Sequence, residues 1–386
     1  MNKRVVFFHN TASEYRIPLF QELSRIYPCT FIFTRLQLSE KIYKNKLDME
    51  KMKKIRYINL FHGFKAFFQI KNVIKDDEVK CVVVPTLDSF LESVYGYWIY
   101  LCAKHYKKKT IYFWEKWEAP INEQPYYKRV KNQFQAFVAK PIIRGVEFCL
   151  GTGSKACEYF INHGADKSRC AITYNTSMCP VCQKTSWRDM NNIPHDKKIL
   201  LYFGRIIEKK GLRYLIHAMA QLPDALAQKT WLVVVGDGEK REEFMELARK
   251  ENINNISWLG YVHPDHRYDY FSQCDIFILP TYYHKGSVEG WGLTINEAIQ
   301  CGKICIATQA VGSAYDLINE KNGYIALPAS VDSLVQAISA ALNHRDPLTQ
   351  VKEDERLMSL YNYENSAKEF VKHIEDVIND KEGCSS

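Results

Sequence analysis

Short apolar runs separated by longer stretches of helical period recur from one end of the chain to the other. In the first half, "RVVFF", "TFIFT", "RYINL", "CVVVP", "TIYFW", "EFCLG" and "AITY" are rich in β-branched and aromatic residues, and each predicts a strand. The second half repeats the pattern with "ILLYF", "WLVVVG", "DIFILP", "ICIAT" and "GYIAL". Strands alternating with helical segments predict parallel sheets covered by helices, an α/β fold. Residues 175–198 lie between the two sets, lack a sustained period and are rich in turn formers, which marks a linker. The expected organisation is a doubly wound, Rossmann-like domain over residues 1–180, a second over 195–365, and a C-terminal helix and tail over 366–386. Around Glu364 to Asn379 a last helix carries the apolar stripe Phe370, Val371, Ile374 and Val377, which must pack on something; the pattern leaves open which domain receives it. Doubly wound sheets bind ligands at the carboxyl ends of their strands. Two such sheets facing each other would form one deep cleft that closes on its ligand.

Length agrees with two domains, because 386 residues exceed the size at which one core keeps growing. The formal net charge of +8 allows an anionic partner, but no recognised nucleic-acid module is present and nucleic acid is not the partner expected. Twelve cysteines are scattered, many in apolar runs such as "KCVVVP" and "KICIA", where a thiol behaves as a small buried hydrophobe in a reducing, cytoplasmic compartment. Cys179 and Cys182 have metal-ligand spacing but no second pair beside them, so they read as linker residues and not as a zinc site. The N-terminal apolar run is too short for a signal-peptide core. The stretch "VYGYWIYLCA" is about half of what a bilayer crossing needs, so the protein is expected to be soluble or peripheral. One segment, "YYKRVKNQFQAFVAKPIIRG", interleaves Lys128, Arg129, Lys131, Lys140 and Arg144 with Tyr127, Phe134, Phe137 and Val138. It reads either as a basic amphipathic helix at an anionic membrane surface or as a plain domain helix with a solvated basic face.

Chemistry concentrates in the second half. In "GSVEGWGLTINEAIQCG", Glu289 and Glu297 stand eight residues apart across a glycine-rich turn and the start of a helix. Ile295, Ala298 and Ile299 share the core face, which aims Glu297 toward cleft or solvent. Two readings of Glu297 stand side by side. Thr294 and Glu297 have capping-box spacing. Alternatively, Gly290 and Gly292 admit close approach of a ligand, the helix N-terminus favours phosphate oxygens, and a carboxylate at the rim accepts hydrogen bonds from sugar hydroxyls. In "YFGRIIEKKGLRYLIHAMAQL", Leu212, Leu215, Ile216 and Met219 form an apolar stripe, and Arg205 and Lys210 occupy the turn before it. Cations there oppose the helix dipole, so they are either a solvated charge run or the holders of an anion such as a diphosphate. "VVVGDGEKREEF" adds another glycine-rich strand-to-helix turn.

In this order and at this spacing, these segments resemble the retaining family 4 glycosyltransferases of the GT-B fold, across nearly all of the second half. The matching features are Glu289 and Glu297 in "EGWGLTINEAIQCGK", Gly204-Arg205 followed by Lys210-Gly211, "VGDGEKR", and "LGYV" before "CDIFILP". The resemblance implies two Rossmann-like domains facing a cleft, and hexosyl transfer from a nucleotide-diphosphate sugar without a metal or other cofactor. It implies that Arg205 and Lys210 hold the diphosphate, that Gly204 lines the donor site, that Gly290, Trp291, Gly292 and Leu293 present backbone amides, that Glu289 holds sugar hydroxyls, and that Glu297 binds the ribose. The opening "FFHNTASEYRIPLF" is similar to bacterial members that build capsular, O-antigen or exopolysaccharide chains, which implies a glycan or polyprenyl-diphosphate-linked acceptor and a place on the inner face of the plasma membrane. Where many relatives carry a histidine near the reaction centre, this chain has Trp114 and Glu115, leaving Glu115 or Glu118 as base or as structural residue. Two rival readings are a noncatalytic nucleotide-sugar-binding subunit of a glycan-assembly complex and a GT-B nucleotide-sugar epimerase. The four intact residues Arg205, Lys210, Glu289 and Glu297 disfavour the first, and the "EGWGLTINEA" context disfavours the second.

Overall fold

Thirteen strands form two separate parallel sheets in a computed structural model of the chain, which describes residues 4–36, 49–61, 63–177, 187–343 and 362–379. The chain divides into two units: Met1–Trp117, Tyr126–Thr176 and Asn362–Ser386 make the first, and Glu118–Pro125 and Ser177–Tyr361 make the second.

The first unit holds β1 (Arg4–His9), β2 (Cys29–Phe33), β3 (Tyr57–Asn59), β4 (Val79–Val84), β5 (Lys109–Trp114), β6 (Phe148–Gly151) and β7 (Cys170–Ile172) in the spatial order β3-β2-β1-β4-β5-β6-β7. Its helices of seven residues or more, numbered along the chain, are α1 (Ile17–Ile26), α2 (Phe64–Lys75), α3 (Phe90–His105), α4 (Tyr126–Gly145), α5 (Ser154–Asn162) and the last helix of the chain, α11 (Tyr363–Asn379). Side chains alternate across the sheet, so β1 divides its residues between two cores. Val5 and Phe7 pack with α1 and α11, through Phe20, Leu23, Phe370 and Ile374. Val6 and Phe8 pack on the other side with α2 and α3, through Ile70, Ile74, Tyr95 and Ile99. α11 is therefore part of the first unit although it follows the second in sequence. On the α2–α3 side, α4 continues the layer, placing Ala139, Ile142 and Ile143 against Tyr112 and Trp114 of β5.

The second unit holds β8 (Lys198–Phe203), β9 (Thr230–Val235), β10 (Ile256–Gly260), β11 (Ile276–Leu279), β12 (Ile304–Thr308) and β13 (Gly323–Ala326), ordered β10-β9-β8-β11-β12-β13. Its helices are α6 (Leu212–Ala220), α7 (Arg241–Lys250), α8 (Arg267–Gln273), α9 (Leu293–Gln300) and α10 (Val331–Leu342). The stripe Leu212, Leu215, Ile216 and Met219 of α6 packs against Leu200, Tyr202, Leu232 and Ile278, joined by Leu334 and Ile338 of α10. Strand order reverses between β8 and β11, which makes the loops after these two strands neighbours at the switch point where such sheets hold ligands.

The described cysteines carry free thiols, mostly buried. Cys179 and Cys182 lie outside the described residues. Among the described residues no helix is long and apolar enough to cross a membrane.

Candidate functional site

The loop after β8, residues 204–211, and the loop after β11, residues 280–292, meet backbone to backbone. Gly211 permits this: its φ is +73°, and a Cβ added to it would stand 1.9 Å from the carbonyl oxygen of Pro280. No side chain fits there, and the conformation itself disfavours any residue that carries a Cβ. The GDG turn joins the same cluster, because the Gly204 amide donates to Val235 at 3.0 Å and the Ile206 amide to Asp237 at 2.9 Å. A side chain grown from Gly204 would meet nothing within 4 Å, so this edge of the loop borders open space.

Within this frame Lys210 Nζ donates to Glu289 Oε2 at 2.9 Å, with the two side chains 13% and 20% exposed. Lys209 stands 3.8 Å from the same oxygen and donates to the Val288 carbonyl oxygen at 2.5 Å. Arg205 is exposed, and its guanidinium has no hydrogen-bond or ion-pair partner among the described residues. Burial by itself would raise the Glu289 carboxyl, but the charges of Lys210, Lys209 and Arg205 outweigh it and hold that carboxyl below its ordinary range. Lys209 is pushed down, by burial first, with Lys210 and Arg205 adding to the effect and Glu289 opposing it. Three cations thus face one carboxylate, an excess of positive charge that a bound anion would neutralise.

Two helices begin at these loops, and neither has a side-chain cap or an acidic residue in its first turn. α6 starts after Gly211 and α9 after Gly292, both glycines in the left-handed region. Their first-turn amides carry the partial positive charge of a helix N-terminus. The backbone of Glu289 is fixed against the following loop: its amide donates to Ala310 at 2.9 Å, and its carbonyl oxygen accepts from the Gly312 amide at 3.1 Å.

The structure brings Arg205, Lys210 and Glu289 together, removes one of the two readings of Glu297 and corrects the expected aim of its side chain. The capping box does not form, because α9 begins at Leu293 and places Thr294 inside the first turn, with Gly292 at the cap position. Nor does Glu297 face cleft or solvent: it is 1% exposed, accepting from Ser177 Oγ at 2.5 Å and from Arg267 Nη1 at 2.8 Å. The reason is that α9 is covered on more than one side, so that Ile295, Asn296, Glu297, Ala298 and Ile299 are all buried. Burial lifts the Glu297 carboxyl above its ordinary range, opposed by Arg267 and by the Ser177 hydrogen bond. The Trp291 side chain is likewise internal, 3% exposed and donating from Nε1 to Asn296 Oδ1 at 2.9 Å, so its backbone alone can face a ligand. Gly290 and Leu293 are half-buried beside it.

Sequence reasoning missed Lys209, although "EKKG" displays it, and Arg267, which no motif marked. In the first unit Trp114 is core, 1% exposed and bonded to Asp88 at 3.0 Å. Glu115 accepts from Asn175 at 2.9 Å and lies 3.5 Å from Arg16, while Glu118 falls in the second unit.

Comparison with known proteins agrees with this geometry. Residues 183–358, which contain the whole loop cluster, match the family described as glycosyl transferases group 1. The chain is 30% identical over 217 residues to the lipopolysaccharide 1,2-N-acetylglucosaminetransferase of Salmonella typhimurium, a match over 54% of each protein. It is 23% identical over 387 residues to an uncharacterised glycosyltransferase of Methanocaldococcus jannaschii, covering 96% of this chain and 86% of that one. Among solved structures, Anabaena HepE in complex with UDP superposes with a TM-score of 0.74 over 97% of this chain and 100% of that one, at 14% identity, a likeness of fold. The chain spans about half the length of the Salmonella relative. The chain has a GT-B fold, and within its second unit residues 183–358 are similar to the glycosyl transferases group 1 family.

Proposed function

We propose that the protein is a retaining, family 4 glycosyltransferase that moves a hexosyl group from a nucleotide-diphosphate sugar to a glycan or polyprenyl-diphosphate-linked acceptor in surface polysaccharide assembly, on the inner face of the plasma membrane. The observation that carries the reading is the excess of Arg205, Lys209 and Lys210 over the single carboxylate Glu289 at the strand-order reversal, beside two uncapped helix N-termini. Names of relatives support it: the Salmonella protein is an N-acetylglucosaminetransferase of lipopolysaccharide, and the HepE structure holds UDP.

In this reading the bond from the anomeric carbon to the leaving phosphate breaks as the acceptor oxygen bonds to the same face, and the acceptor proton passes to the leaving phosphate. Negative charge grows on that phosphate while the sugar becomes oxocarbenium-like. Arg205 and Lys210 stabilise this charge from fixed positions, and no metal or other cofactor is called for. The amides of Gly290 to Leu293 and the open edge at Gly204 receive the phosphates and sugar, and Glu289 accepts from sugar hydroxyls once Lys210 turns to the diphosphate. Ribose recognition by Glu297 requires Ser177 to leave its carboxylate.

Thermal stabilisation by a panel of nucleotide diphosphates and their sugars, uridine first, tests the donor site. One nucleotide sugar should raise the midpoint of the wild type, and Arg205→Ala and Lys210→Ala should abolish the rise. If no nucleotide shifts the wild type, or the variants respond as well as it does, the assignment fails. Proton NMR of the first-formed product then reads the anomeric configuration, and inversion would refute retention.

A further inference from the structure

The outward faces of α2, α3 and α4 are unlike the rest of the surface. These helices lie side by side on one side of the first sheet, α3 packed between the other two. Twelve of the 21 exposed large apolar side chains of the described residues sit on them, among them Phe64 (85%), Phe90 (75%), Tyr126 (82%) and Phe137 (78%). Isolated exposed apolar residues are ordinary, whereas an accumulation of aromatics on one contiguous face marks an interaction surface.

α4 shows that the pattern is not incidental. Its buried face includes Asn132 and Gln135, whose side-chain oxygens accept from Lys116 Nζ at 3.1 and 3.2 Å, while Tyr126, Val130, Phe134 and Phe137 point outward. A plain domain helix with a solvated basic face would have the reverse arrangement. In α3 the stripe Phe90, Val94, Tyr97 and Leu101 is similarly exposed, and Phe64 and Phe68 project from α2.

The charge on this face is equally one-sided. The three helices contain nine Lys and Arg residues and a single carboxylate, Glu92, which is buried, so their net charge of +8 equals that of the whole chain. At the edge of α2, Lys65 and Phe68 also line an open cavity of about 540 Å³ together with Arg4, Arg56, Phe61 and Asp76, where three cations stand against one carboxylate. Aromatic rings interleaved with lysine and arginine, with no exposed carboxylate on the helices, match the boundary of an anionic bilayer: the rings enter the headgroup region and the cations meet lipid phosphates. A second copy of the chain fits poorly, because a two-fold contact would oppose one strongly cationic face to another.

We propose that the α2–α3–α4 face of the first unit docks the protein on an anionic lipid bilayer through its exposed aromatics and basic residues. This deepens the membrane location stated above and uses no residue of the donor site. The test is flotation of the full chain with vesicles of phosphatidylglycerol mixed with phosphatidylcholine, against phosphatidylcholine alone, at low and high salt. Binding is expected to the anionic vesicles and to weaken with salt. The variants Phe90→Ser/Tyr126→Ser/Phe137→Ser and Lys131→Glu/Arg144→Glu should each lower partition roughly tenfold while leaving the thermal midpoint unchanged, since all five side chains lie at the surface. Donor-induced stabilisation, read on the same samples, should persist in both variants, which separates failure of docking from failure of the donor assignment. Absence of binding to anionic vesicles, undiminished binding by the folded variants, or a wild-type dimer in sedimentation velocity that the serine variant dissolves would each overturn the proposal.

Discussion

Replacing Arg267 by leucine tests how far the carboxylate of Glu297 depends on its partner. Glu297 is 1% exposed, and Arg267, at 2.8 Å, is its one ionic partner among the described residues. At an effective protein dielectric of about 20, opposite unit charges some 4 Å apart attract by roughly 4 kcal/mol. Removing one member of a buried pair costs about 3–5 kcal/mol, because the other charge is left uncompensated. The Arg267 side chain keeps 23% of its surface in solvent, which screens part of the interaction, and we expect a loss of about 2–3 kcal/mol. For a unit of this size that is a fall of roughly 5–10 °C in the midpoint. The pH dependence has a definite sign. Burial places the folded carboxyl above its ordinary value, and removing Arg267 moves it higher still. A carboxyl whose folded pKa is raised costs stability when ionised, so the loss should be complete above the folded pKa and should shrink as the pH falls toward about 4. Denaturation is to be followed by tryptophan fluorescence at about pH 8 and about pH 5, for Arg267→Leu alone and combined with Glu297→Gln. The double variant should recover most of the stability, because it buries an amide and no longer a lone charge. Equal instability of single and double variants at both pH values would show that the loss came from arginine packing and would refute the electrostatic account.

Glu289→Gln should remove part of the protein's acid sensitivity: the native carboxyl is held below its ordinary range, so its contribution is present above about pH 4.3 and is lost as the pH falls through its folded pKa, a difference that acid titration of stability would read. Gly211→Ala should cost about 2–4 kcal/mol in chemical denaturation, since a positive φ and a 1.9 Å approach to the Pro280 oxygen both forbid its Cβ. Gly204→Ala, with nothing within 4 Å, should change stability by less than about 0.5 kcal/mol yet reduce nucleotide-induced stabilisation, because its methyl group enters the space assigned to the donor. Phe370→Ala should destabilise the first unit by about 3–5 kcal/mol in the same assay, since Phe370 is 1% exposed and meets the rings of Phe7 and Phe113 at 5.4 and 5.5 Å.

Parallel strands buried on both faces are legible in a sequence because they read as continuous apolar runs, and both sheets could be expected on that basis. β10 could not: "ISWLG" is an edge strand whose every residue is only half-buried, so Ser257 breaks the run that would have revealed it. The same limit explains the site. Arg205, Lys210 and Glu289 follow from loop position and residue type, but the pairing of Lys210 with Glu289 depends on β8 lying beside β11, a fact of sheet order. The inward aim of Glu297 depends on Ser177 and Arg267, far from it in sequence, which periodicity within α9 does not register. Likewise, the basic residues of α4 are visible in its sequence, whereas the outward turn of its aromatics is decided by what lies beneath them.

The docking of α11 beside α1 also bears on how the protein is made. During synthesis the first unit emerges early, yet the groove between α1 and the sheet, where Phe7, Phe20 and Phe113 lie, lacks its cover until residues 363–379 have left the ribosome. The second unit, made later, has all of its strands in hand before then. We therefore expect the order of completion to run against the order of translation, with the most distant pairing in the chain closing last, where the loss of loop entropy is greatest. A nascent chain halted before α11 should expose apolar surface to chaperones in the unit whose sequence was translated first.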